Sequence, residues 1–153
     1  MGCMKKFRFS LETVLDYKQQ VLEALQTEHG AILARVKEQE ELLRELEEAY
    51  RRLDGEFSQR KLEGIAILDA MRYEQYLRAA EREIEMAVEA LETLRRQEEA
   101  KRAEVISAKQ DTSALEKLRE KKLAGYNKAI QKKEEAMIKE FVTTARIMAA
   151  QSA

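Results

Sequence analysis

From Leu11 onward, positions three and four residues apart alternate along one stripe: Leu11, Leu15, Lys18, Leu22, Leu25, His29, Ile32, Val36, Gln39, Leu43, Leu46, Tyr50, Leu53 and Phe57. Eleven of these fourteen are apolar. That spacing keeps returning to the same helix face, the seam that a coiled coil buries. The pattern predicts a first helix over about 10–57, about 70 Å long at the usual rise per residue. Ser10 is placed to cap its first turn, and Glu12 suits the positive end of its dipole. Phe9 and Val14 stand at the two positions of a hydrophobic staple.

Gly55, Ser58 and Gly64 interrupt the stripe, and the chain is expected to reverse within 55–65. A return helix over about 66–149 carries the second stripe: Ala66, Ala70, Tyr73, Leu77, Ala80, Ile84, Ala87, Leu91 and Leu94. Its small alanines suit the bulky leucines of the first arm, as an antiparallel interface requires. The stripe weakens through Glu98 and Lys101 and resumes at Val105, Ala108 and Leu115. Asp111, Thr112 and Ser113 are candidates to break the helix, since Ser113 and Glu116 have capping-box spacing. Without a glycine or proline beside them, continuous helix is the favoured reading. With the turn centred near residue 60, Leu11 falls opposite roughly residue 109 by equal rise in both arms. The rest of the second helix would then extend past the first. The expected fold is all-α: a long antiparallel two-helix coiled coil, or helical hairpin, with a protruding C-terminal helix, all of 1–153 forming one coiled-coil domain.

Composition agrees with a rod. The 153 residues include no proline, five glycines and no tryptophan, and 37% are charged. Such mixtures mark coiled coils and long helices, which enclose little room for an active site. Net charge is −1 but unevenly spread. Glu38–Glu63 holds nine acids and five bases, whereas Lys109–Lys139 holds nine bases and five acids. In the stretch LEKLREKKLAGYNKAIQKK, Lys117, Arg119, Lys121, Lys122, Lys128, Lys132 and Lys133 are opposed only by Glu116 and Glu120. A charge run is usually a solvated face. Here it accompanies an apolar band, Leu115, Leu118, Leu123, Tyr126, Ile130, Met137 and Phe141, and that combination marks protein contact. Cys3, the sole cysteine, cannot form an internal disulfide, and its context reads as reducing. The start Met1-Gly2-Cys3 lacks the Ser or Thr that myristoylation needs at position 6. Met4 is the expected native start, with residues 1–3 an appended remnant. No apolar run is long enough for a membrane span, and no secretory leader is evident.

Candidate chemistry is sparse. His29 is the only histidine, sits on the seam, and lacks Cys, His or carboxylate partners at metal-ligand or catalytic spacing. A polar seam residue that fixes register accounts for it better. There is no phosphate-cradling glycine loop and no catalytic triad set. The reading is of a protein that is not an enzyme and needs no cofactor or metal. Nucleic-acid recognition is disfavoured because no reading module accompanies the basic stretch.

Three blocks carry a family resemblance: KFRFSLETVLDYKQ at Lys6–Gln19, LEGIAILDAMRYEQYL at Leu62–Leu77, and LEKLREKKLAGYNKAIQKKEEAMIKEF at Leu115–Phe141. Together they resemble the FliJ family, small coiled-coil proteins of the bacterial flagellar export apparatus. The resemblance implies an antiparallel coiled coil similar to the stalk of rotary ATPases. Its implied partners are the export ATPase FliI, the export-gate protein FlhA and export chaperones, met at the cytoplasmic face of the inner membrane without a transmembrane segment. It implies an ATPase-binding end made of Phe7, Phe9, Leu11, Leu15, Leu115, Leu118, Arg119, Lys121, Lys122, Tyr126, Lys132 and Lys133. It implies a gate-binding surface at Tyr73, Tyr76, Leu77 and Ala80, of which Tyr76, off the seam, is the stronger candidate. The competing expectations are a self-associating structural coil, or the stalk protein of a related type III secretion system or rotary ATPase.

Overall fold

The computed structural model describes residues 6–152; the readings of Met1–Cys3 and of Met4 lie outside them. Helix α1 spans Glu12–Glu63 and helix α2 spans Ile67–Gln151. The fold is all-α, two long helices in contact as an antiparallel hairpin, with no strand among the described residues. The entry turn of α1 is closed by the Glu12 amide, which donates to the Phe9 carbonyl at 3.1 Å. The expected staple differs in one member. Phe9 is buried, but Val14 lies on the outer face, 43% exposed, and Leu15 takes the covered position.

The chain reverses through residues 64–66 alone. Gly64 has φ of 97°, a conformation that a side chain makes costly. Gly55 and Ser58 do not break the helix, so α1 continues past residue 57. Gly55 costs a helix about 1 kcal/mol relative to alanine, but its neighbour Phe57 holds the turn in place. Phe57 is buried, packs edge-on against Tyr73 with centroids 5.0 Å apart, and lies under the Lys61 ammonium at 3.9 Å. Likewise α2 runs unbroken through Asp111–Ser113. Thr112 is buried there, and its hydroxyl donates to the Ala108 carbonyl at 2.8 Å. A threonine bonded back to its own helix has no need to cap a new one.

The helices divide into two compact units, Glu23–Ser107 and Met1–Leu22 with Ala108–Ala153. In the first, every stripe position from Leu25 to Phe57 is at least partly covered. So is the return stripe from Ala70 to Leu94, with Ala87 and Leu91 buried; only Ala66, in the reversal, is exposed. Small residues opposite large ones allow close approach. Gln39 donates to the Ala87 carbonyl at 3.2 Å. The Tyr50 hydroxyl donates to Glu81 at 3.1 Å and that of Tyr73 to Glu56 at 3.0 Å. Each step back along α1 is thus matched by a step forward along α2.

The two glycines give opposite predictions. Gly64→Ala is expected to destabilise the protein by about 1 kcal/mol or more. Gly55→Ala, where an added methyl meets nothing within 4 Å, is expected to stabilise it by about 0.5–1 kcal/mol. Urea titration followed by circular dichroism checks both signs.

Candidate functional site

In the unit formed by the two ends of the chain, residues 12–22 of α1 lie antiparallel to the segment of α2 that begins at Ala108. Glu12 accepts from Arg119 at 2.9 Å, Gln19 donates to Glu116 at 3.2 Å, and Lys18 lies 3.7 Å from Asp111. Leu11 therefore lies near Arg119, not residue 109, because the reversal sits later in the chain than residue 60. The consequence is local and large. The segment Leu115–Tyr126, expected to run on alone, is partly covered by the N-terminal segment.

The stripe of α2 in this unit is Thr112, Leu115, Arg119, Leu123, Tyr126 and Ile130, all buried or partly covered. Before α1 starts, the non-helical residues 6–9 continue along it. The Phe7 ring meets that of Tyr126 at 5.6 Å between centroids, tilted by 50°. Phe9 is 8% exposed and Leu15 3%. Of the residues implied as ATPase-binding, Phe7, Phe9, Leu11, Leu15, Leu115, Arg119 and Tyr126 are thus buried or partly covered in this unit, with Phe7 against Tyr126 and Arg119 bonded to Glu12. Thr112 and the engagement of Arg119 were not foreseen. Continuing the 3-4 steps from Ala108 would have reached both positions.

The others face outward. Leu118, Lys121, Lys122, Lys132 and Lys133 are exposed, as is Lys128, and these lysines have no ion-pair partner among the described residues. From Gln131 to Ser152 every residue is exposed. Met137 and Phe141 are 69% and 76% exposed, and Ile138 and Met148 also present their side chains to solvent. The C-terminal helix therefore offers aliphatic and aromatic surface beside unpaired cations.

The implied gate surface divides in the same way. Tyr73, Leu77 and Ala80 are partly covered along the seam, with Tyr73 held by Phe57 and Glu56. Tyr76 projects outward, 61% exposed.

The weak stretch of the second stripe is a polar layer. Glu98 is buried and its carboxylate accepts from Arg102 at 2.6–2.9 Å and from His29 Nε2 at 2.9 Å. An ionised Glu98 requires that nitrogen to carry the proton. Arg102 first, then His29, hold the Glu98 carboxyl below its ordinary pKa, against the opposing effect of burial. Lys101 bridges Glu28 at 2.8 Å and Glu104 at 2.9 Å, bonds that raise its pKa. His29 is thus a cross-helix register residue. No group of potential metal ligands occurs among the described residues, and no described helix is long and apolar enough to cross a membrane.

The fold is a hairpin of two long helices whose C-terminal end exposes apolar side chains beside lysines. The family model described as Flagellar FliJ protein matches residues 7–150, and the chain belongs to the FliJ family. It is a protein of flagellar export. No curated protein and no solved structure matches it.

Because the folded state depresses the Glu98 pKa, its contribution is present above the ordinary carboxylate pKa and is lost as pH falls through the folded value. Glu98→Gln is expected to lower Tm at neutral pH, with the gap from wild type closing as pH drops below about 4. Thermal melts across pH measure this directly.

Proposed function

We propose that this protein is a non-catalytic stalk of the flagellar export machinery, binding the ring of the export ATPase FliI through its terminal unit. The observation that carries this reading is the exposed outer face of α2 from Leu118 onward, which combines unpaired lysines with Met137 and Phe141. Apolar surface supplies adhesion, while Lys121, Lys122, Lys132 and Lys133 steer the helix toward acidic loops. One asymmetric helix cannot contact six equivalent subunits alike. It favours those ring conformations that it binds more tightly, and so stabilises the assembled ring. The covered residues Phe9, Leu15 and Leu115 support this end from within.

The hairpin unit carries the second contact, with the export-gate protein FlhA, centred on Tyr76 and supported by Tyr73, Leu77 and Ala80 beneath it. Export chaperones are further partners. The working place is the cytoplasmic face of the inner membrane, reached through protein contacts.

Reversing the four lysines to glutamate is expected to weaken ATPase binding at least about tenfold at roughly 0.15 M salt and to abolish stimulation of hydrolysis. Pull-down and phosphate-release assays read both; undiminished binding would count decisively against the assignment. Tyr76→Ala is expected to leave Tm within experimental error while reducing capture of FlhA, whereas Tyr73→Ala lowers Tm.

A further inference from the structure

Exposed apolar surface is concentrated at the end of α2, where Met137, Ile138, Phe141, Val142, Ile147 and Met148 are 41–76% exposed. Monomers rarely leave so contiguous a patch uncovered. Met137 and Phe141 stand four apart on one helix face. Lys132, Lys133 and Lys139 lie within two turns of them, exposed and without an ion-pair partner among the described residues. The outer face of α1 offers the opposite charge around an apolar centre. An open hollow of about 550 Å³ there is lined by Ala34 and Leu42, with Leu42 44% exposed. Glu38, Glu41 and Glu45 line the same hollow and outnumber Lys37 and Arg44. Arg44 is held by Glu41 at 3.1 Å. Glu38 and Glu45, and Glu48 one turn on, have no ion-pair partner among the described residues. Each surface thus sets apolar side chains beside uncompensated charge, acidic on α1 and basic on α2, and neither set bonds the other within the described chain.

We infer that the exposed end of α2 in one copy of this chain docks on the outer face of α1 in a second copy, around Leu42. Met137 and Phe141 cover Leu42 and Ala34, while Lys132, Lys133 and the neighbouring lysines meet Glu38, Glu45 and Glu48. Each copy carries both surfaces, so docking is reciprocal and closes as a two-fold dimer. Reciprocity forms the contact twice, which so slender a surface needs, since stable association buries roughly 1,200–2,000 Å². Exposed charges steer the copies together and reject like-signed pairings, and their attraction fades with salt. The dimer covers side chains proposed for the ATPase contact, so the two contacts are alternatives. The pairing itself does not depend on that proposal, because both of its surfaces belong to this chain.

Sedimentation velocity on the full-length chain tests the pairing, in a Cys3→Ser background so that no disulfide through the sole cysteine mimics it. At about 100 μM, enough to populate a dimer of micromolar Kd, the protein is expected to sediment as a dimer in roughly 0.05 M salt. Raising the salt to roughly 0.5 M is expected to weaken the dimer at least about tenfold. A monomer under the first condition overturns the inference. Two variants then swap the charges. One carries Glu38→Lys, Glu45→Lys and Glu48→Lys; the other carries Lys121→Glu, Lys122→Glu, Lys132→Glu and Lys133→Glu. All of these positions are exposed, so both variants are expected to keep the fold, which circular dichroism checks. Each variant alone is expected to be monomeric, because like charges then face each other. An equimolar mixture is expected to recover the dimer, because both of its contacts then join opposite charges. Dimerisation by either variant alone, or a mixture that stays monomeric, overturns the pairing. No ATPase is present in these measurements, so their outcome leaves the ATPase contact to its own test.

Discussion

Burial along a single stripe is what this chain has in place of a core. No described side chain is both large and completely enclosed, and the most protected apolar residues are Phe57, Leu15, Leu91 and Ala87. A seam so narrow gains stability by repetition, and each layer also permits sliding by a heptad unless something opposes it. Polar layers supply that opposition. Sliding would separate the buried Glu98 carboxylate from His29, leaving one of its charge-assisted bonds unmade. It would also strip Lys101 from Glu28 and Gln39 from the Ala87 carbonyl. Buried or half-buried polar groups that lose a partner are costly, so these contacts define one pairing among many that leucines would tolerate.

The same economy explains the exposed surface proposed for partners. A two-helix unit cannot cover more than one face of each helix, so the outer faces are always available for partners. Within the unit made by the chain ends, α1 begins at Glu12 and leaves the far part of α2 wholly exposed. Extended residues reach somewhat farther, to Tyr126. The result is a graded surface: apolar residues under the N-terminal segment, then lysines, then exposed Met137 and Phe141. Membership of the FliJ family gives that surface a context in flagellar export.

Much of this was legible in the residues. Seam positions from Leu11 to Phe57 are covered as their 3-4 spacing requires, because helix geometry converts spacing directly into facing. His29 was legible as a register residue because the histidine had no partner of its own nearby in sequence. The exact reversal was less legible. Gly55, Ser58 and Gly64 all carry turn propensity, yet only Gly64 has a left-handed backbone. Propensity near Gly55 is overridden by burial of Phe57 against Tyr73, a contact between residues on different helices.

By itself, the sequence determined the two helices, the faces they bury and the family blocks, since all of these depend on local spacing and residue type. The tertiary structure alone decided the pairing of the second stripe with the first. Glu98 and Lys101 look like gaps until His29 and Glu28 stand opposite, and Arg119 looks like a free cation until Glu12 does. Only pairing in space distinguishes a solvated charge from a bonded one, because that choice depends on where a reversal far away in the chain is placed.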